Sequence, residues 1–181
     1  MGRGRIAPVE QHGHAGAPAP DPLDLLLGLE IRSWRPATDG PPPHRQPWRE
    51  NLAWFAFQRL GLFANDSFEE LSIWRGERML HRLVITPRWL RFPFMEPDDV
   101  QIGRLWTDPE VRRTGIAGAA MAEAHRRRAE PGRRVWYVVD AANTPSARLA
   151  EACGYRLVGT GRRTRPLGIA GLGRFRLESV V

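Results

Sequence analysis

Two short segments carry residue types that could hold a diphosphate. The first is Arg112-Arg113-Thr114-Gly115-Ile116-Ala117. Ile116 to Ala129 is rich in Ala, Met, Glu and Arg, lacks Pro and keeps its one Gly in the first turn, so it reads as a helix. A helix begins with N–H groups that have no partner inside it, and its dipole adds partial positive charge there; phosphate oxygens answer both needs. Gly115 lets the backbone approach a phosphate, Ala117 and Gly118 keep the first turn slim, and Arg112 and Arg113 supply charge-assisted contacts. A plain Gly-containing loop before a basic helix has the same composition, so this run alone leaves both readings open.

The second segment runs from Asn143 to Tyr155. It follows Val135-Trp136-Tyr137-Val138-Val139, a continuous apolar run suited to a strand buried in a sheet. Thr144 is the expected N-cap, Pro145 suits the first helical position and Gly154 suits the end. Before the first segment, Val100 to Thr107 alternates as a half-buried strand does, and Asp108-Pro109 stops it.

In order and spacing, the two segments resemble the GNAT acetyltransferase superfamily, whose cofactor motif Arg/Gln-x-x-Gly-x-Gly/Ala is met by Arg112, Gly115 and Ala117. The family's later motif is met by Asn143, Ser146 and the pair Gly154-Tyr155. The resemblance covers roughly Phe68 to the C-terminus, with the sharp motifs between Gln101 and Tyr155. It implies an α/β fold with a mixed, mostly antiparallel central sheet flanked by helices and splayed between its fourth and fifth strands. It also implies acetyl-CoA as co-substrate, with the pantetheine arm lying in the splay like an added strand. Leu105, Trp106 and Thr107 would then border that arm, and an N–H near Trp106 would polarise the thioester carbonyl. The amides of Arg113, Thr114, Gly115, Ile116 and Ala117 would hold the pyrophosphate, Asn143 would fix the pantetheine side and Ser146 would orient its helix. The implied reaction is direct attack of a neutral amine in a ternary complex.

The sequence departs from the family where chemistry is concerned. Gln101 stands where many members have a Glu base, and Ala150 where they often have a Tyr that protonates the leaving thiolate. Two replacements for the base are expected. Asp99 lies two residues before Gln101 and so on the same strand face; His81, on the preceding strand, ordinarily titrates near neutrality. For each, a turn or core-edge role competes with catalysis. Asp98 through a water is a third candidate. Cys153 and Tyr155 are candidate donors to the thiolate, though both occupy positions that usually pack the core.

The elements that must position these residues follow from pattern. Residues 1–22 hold few large apolar side chains and are expected to be a disordered tail, with residues 23–181 forming one domain. Leu29 to Trp34 is a strand, Arg35 to Pro47 a proline-broken loop, and Trp48 to Phe63 an amphipathic helix with Trp48, Leu52, Phe55, Arg59 and Leu62 on one side. Phe68 to Trp74 and Met79 to Thr86 form a hairpin about Arg75-Gly76-Glu77. Arg156 to Thr160 and Arg174 to Val180 supply the last strands. The aromatic loop from Trp89 to Met95 suits either a wall over the acceptor site or packing on the Trp48 helix or a homodimer contact.

Composition narrows the function classes. At 181 residues the chain can bury a real core. No apolar stretch approaches the roughly 20 residues of a membrane span, no hydrophobic signal region follows Arg3 and Arg5, and the cytoplasm is the expected setting. Cys153 is the single cysteine, which excludes an intrachain disulfide and a cysteine-based metal cluster; His12 and His14 sit in the tail without companion ligands, and no metal is expected. The net charge is +7, and all 27 basic residues are Arg. That charge steers anions, including nucleic acid, and Arg126-Arg127-Arg128 with Arg133-Arg134 could line a phosphate surface, although a charge run is more often a solvated face. Three readings result: an acetyl-CoA-dependent N-acetyltransferase for a small-molecule amine, an inactive acyl-CoA-binding module, and an Arg-rich nucleic-acid binder. Within the first, the stretch from His81 to Thr107 faintly resembles members that act on amino sugars of bacterial surface polysaccharides.

Overall fold

The computed structural model describes residues 3–9, 22–42, 48–164 and 173–180. Strands β1 (Arg3–Val9), β2 (Glu30–Trp34), β3 (Glu69–Arg75), β4 (Arg78–Pro87), β5 (Val100–Thr107), β6 (Val135–Asp140), β7 (Gly159–Arg163) and β8 (Phe175–Val180) form one sheet in the order β2-β3-β4-β5-β6-β1-β7-β8. The pair β5–β6 is parallel and the other six pairs are antiparallel. Three helices, α1 (Trp48–Arg59), α2 (Ile116–Arg128) and α3 (Thr144–Ala152), cover the faces. This is the mixed, mostly antiparallel α/β architecture that the motifs imply.

Alternation along the strands sorts the apolar residues into two cores. Leu71, Ile73, Leu83, Ile85, Val100, Ile102 and Tyr137 pack under α2 and α3, with Ala119, Ala120, Met121 and Ala150 from the helices. On the other face Trp34, Phe68, Val84 and Trp136 pack with Trp89, Phe92 and Met95 of the β4–β5 loop and with Trp54, Phe55 and Phe57 of α1. Fully burying one such side chain is worth about 1.5–3 kcal/mol. β3 lies between the two cores, and its first six residues are all buried. Its hairpin with β4 turns on Gly76-Glu77, where Gly76 has φ 60°, as a two-residue turn with glycine first requires.

Three expectations are corrected and one open alternative is decided. Arg3–Val9 is not tail: it pairs with β6 on one side and β7 on the other. Residues 10–21, with His12 and His14, lie outside the described residues. The buried face of α1 is Asn51, Trp54, Phe55 and Gln58, while Leu52 and Leu62 are exposed; a hydrophobicity stripe misses this because the face carries an amide and a tilted aromatic cluster. Of the roles open to the Trp89–Met95 loop, the structure shows packing on the Trp48 helix, since Trp89 meets Trp54 and Phe57 edge-on at 5.7 and 5.3 Å and Phe92 stacks on Phe175 at 5.5 Å. Finally, the Arg126–Arg128 run is engaged internally: Arg126 and Arg127 bind Glu123, and Arg127 and Arg128 bind Glu69.

Candidate active site

β5 and β6 share only three register pairs, Val100↔Val135, Gln101↔Trp136 and Ile102↔Tyr137, although β5 runs on to Thr107 and β6 to Asp140. The cause is local. Against β4, β5 takes one extra residue between Gly103 and Trp106, and Arg104 adopts φ 53°, a left-handed conformation that β-bulges use and side chains other than Gly rarely do. The bulge turns β5 away from β6 and opens a parallel-strand gap bordered by Leu105, Trp106 and Thr107. Leu105 packs on the α2-side core, while Trp106 is 37% exposed.

Beyond the gap, Asp108 caps a short 3-10 turn, Pro109–Val111, by accepting from the Glu110 amide at 3.0 Å, and Arg78 donates to it at 2.7 Å. Those contacts hold its carboxyl below the usual range, the amide first and Arg78 next. The chain then passes through Arg113 at φ 64° and Gly115 at φ 88° into α2. Thr114 Oγ1 donates back to the Val111 carbonyl at 2.8 Å, and the first backbone bond of the helix is Ala119 N–H to Gly115 C=O at 3.0 Å. Among the described residues, the amides from Arg113 to Gly118 meet no acceptor, and Arg112 to Gly115 are exposed. Six donors at the positive end of a 13-residue helix, beside two exposed arginines, have the chemistry of an anion cradle. A Cβ at Gly115 would lie 2.8 Å from Cδ1 of Leu25, the end of an exposed side chain that can move aside, so it is the φ of 88° that requires glycine.

Asn143, rather than Thr144, caps α3: its side chain accepts from the Ser146 amide at 3.2 Å. Behind α3, Tyr137, Val139, Ala147, Ala150, Glu151, Tyr155 and Leu157 enclose a hollow of about 330 Å³, counting the solvent at its mouth. Tyr137 closes the last β5–β6 pair, so the hollow adjoins the gap. The Tyr155 hydroxyl is buried there without a partner, and burial pushes it well above the ordinary phenol range. Ala150, standing where the family often has Tyr, lines the same hollow.

The two expected bases are elsewhere. Asp99 is buried in the turn before β5, where its carboxylate accepts from Trp136 Nε1 at 2.7 Å, Glu96 N at 2.8 Å and Arg134 N at 3.0 Å. Three donors fix it as the clamp between that turn and β6. His81 is 0% exposed under α2, its Nδ1 lies 2.8 Å from Thr107 Oγ1, and burial lowers its pKa to about 4. A ring so desolvated is neutral at pH 7 and a weak proton acceptor. His81 is on β4 as expected, but Asp99 lies one residue before β5 rather than on it, and pattern alone could not show what already occupies either residue. It also missed Glu50, Asn51, Glu70, Arg82 and Arg104, which meet on the α1 face next to the bulge. Their sequence signal is a charged pair, Glu69-Glu70, heading an otherwise apolar strand.

A family model described as the acetyltransferase (GNAT) family matches residues 30–155. No curated protein matches the chain. Among solved structures, a putative GNAT acetyltransferase from Novosphingobium aromaticivorans superposes with TM-score 0.55 at 14% identity, covering 88% of this chain and 61% of its own. A Drosophila protein gives 0.53 at 16% identity, over 88% of this chain and 48% of its own. The ribosomal-protein-S18-alanine N-acetyltransferase of Escherichia coli gives 0.50 at 18% identity, over 81% and 88%. The chain thus spans about three fifths of the first of these proteins and about half of the second. Such identities bear on the fold; the family match, which takes in more than half of the chain, decides membership. The chain belongs to the GNAT acetyltransferase family.

Proposed function

We propose that the chain moves an acetyl group from acetyl-CoA to the primary amine of a small molecule, an amino sugar being one acceptor of that class. The observation that carries this reading is the set of six unpartnered amides from Arg113 to Gly118 at the mouth of the β5–β6 gap. The pyrophosphate would accept from those amides with Arg112 and Arg113 beside it, and the pantetheine arm would run past Leu105, Trp106 and Thr107 toward the hollow behind α3. Asn143 and Ser146 would flank the arm from the start of that helix. Acetyl-CoA supplies the activated acyl group. The chain's own work is to hold the thioester so that a neutral amine attacks it directly, and alignment of this kind is worth about 7–11 kcal/mol.

Release of free thiol from acetyl-CoA across an amine library tests the activity, and the library should include amino sugars, polyamines and peptide N-termini. A variant tests the cradle: a Cβ at Gly118 meets nothing within 4 Å. Gly118→Asp puts a carboxylate in the first turn, where the helix dipole favours it but a phosphate does not. Acetyl-CoA affinity measured by calorimetry should fall about tenfold or more, a loss of at least roughly 1.4 kcal/mol, with the melting temperature unchanged or raised. Unaltered affinity would remove the cradle from the reading.

A second reading, a binding module without turnover, draws on Gln101 and Ala150, which cannot do what Glu and Tyr do at those positions. Acetyl-CoA binding with no thiol release from any amine selects it.

A further inference from the structure

Glu70 points away from α2 toward α1, is 2% exposed, and has no hydrogen-bond partner for either carboxylate oxygen among the described residues. Asn51 of α1 is equally buried, and its Nδ2 is unpartnered. Arg82 of β4 stops 4.0 Å from Glu70 Oε2 and 4.0 Å from Glu50 Oε2, too far for a hydrogen bond and wide enough for a bridging water. Arg104, on the bulge, reaches across the same space to Glu50 and lies 6.0 Å over the Trp54 ring. An unmet carboxylate and an unmet amide N–H inside one fold are each costly; a guest ammonium would donate to Glu70, while the Asn51 N–H would need an acceptor such as a guest hydroxyl.

We propose, on the strength of the acetyl-transfer reading above, that Glu70 is the proton acceptor for the incoming ammonium, in an acceptor site completed by Glu50, Asn51, Arg82 and Arg104. Glu70 lies opposite Val84, and Val84 opposite Gly103, one residue before the bulge. Two strand spacings are about 10 Å, so the proton crosses on water held in the gap beside Arg82. One proton of the ammonium goes to Glu70. The freed lone pair then forms the N–C bond at the thioester carbonyl, the C–S bond breaks, and the second proton lost from nitrogen ends on the thiolate. The electrostatics suit the task. Burial raises Glu70 above the ordinary carboxylate range, Glu50 of α1 adds to the rise, and Arg82 of β4, the nearby Asn51 amide and Arg104 of β5 moderate it. From β2, Trp34 stands opposite and contributes no charge.

The test is the pH dependence of kcat/KM with the best amine of the library, for the wild type, Glu70→Gln and Glu70→Asp. The Gln variant should lose about 10²- to 10³-fold in kcat and the acidic limb of the profile, keep its acetyl-CoA affinity, and be partly rescued by Asp. A Gln variant within threefold of wild type with the same limb overturns the proposal. A second measurement does not need turnover: carboxyl carbon NMR of glutamate-labelled protein, with the Glu70 signal assigned by its loss in Glu70→Gln, titrated with glucosamine and with putrescine. Movement of that signal on amine addition supports the site, and a signal indifferent to both amines overturns it. Failure to bind acetyl-CoA would instead strike the reading underneath.

Discussion

Glu69 and Glu70 are neighbours on β3 and equally removed from water, yet their surroundings are opposites. Glu69 faces α2 and is surrounded by three guanidiniums, from Arg127 at 2.9 Å, from Arg35 at 3.4 Å and from Arg128. Glu70 faces α1, has only the Arg82 guanidinium beside it, at 4.0 Å, and makes no hydrogen bond among the described residues. A strand sends successive side chains to opposite faces, so one step along the chain moves from a finished electrostatic structure to an unfinished one. Beside Glu69 the α2 face is closed by ion pairs and serves stability; beside Glu70 the α1 face leaves a buried carboxylate without a hydrogen bond, which is where a guest is sought.

Three experiments bear on that contrast. The largest effect is expected at Glu69. Glu69→Gln leaves Arg128, 12% exposed at its side chain and already pushed down by burial, without its main counter-charge; breaking such a pair costs about 3–5 kcal/mol and lowers the melting temperature by about 10 °C. A loss under about 1 kcal/mol would mean that this face is not closed after all. Next is His81, which shares the closed face. Its pKa is depressed in the folded chain, so its contribution is present above about 6.5 and is lost as pH falls from there toward 4, by about 3 kcal/mol in total. Chemical denaturation across that window should show a slope that flattens in His81→Leu. The smallest effect on stability is expected at Glu70. Its raised pKa means the folded chain holds a proton the unfolded chain has shed, so stability drops as pH climbs. Glu70→Gln should therefore melt with the wild type at about pH 5 and above it at about pH 9; a drop at both would show that Glu70 is part of the packing, as Glu69 is.

The loop and helix starts proposed to hold the cofactor were legible in the sequence because they are built by backbone. Gly115 must be glycine at φ 88°, and Thr144-Pro145 announces a helix start to within one residue of the Asn143 cap, so residue type nearly fixes the local geometry. The pairing across the gap came from the family resemblance, and the insertion of β1 next to β6 was not foreseen. The acceptor side was not legible because it is assembled from α1, β3, β4 and β5, and no window of sequence contains it. Asp99 and His81 illustrate the difference: His81 is on the strand expected of it, whereas Asp99 lies in the turn before β5, and two of the donors that saturate it come from Trp136 and Arg134, about 35 residues away in the chain. The role of Arg104 was hidden for another reason. Nothing in its identity signals that it carries the bulge, since an arginine at positive φ is held there by the pairing around it.

The strand Arg3–Val9 has a consequence for how the molecule comes into being. Its two partners, β6 and β7, are translated more than a hundred residues after it. A ribosome must therefore release this early ribbon unpaired and keep it so until nearly everything else has emerged. Closure of such distant pairings is slow, so insertion of this strand between β6 and β7 is expected among the later steps by which the sheet is completed.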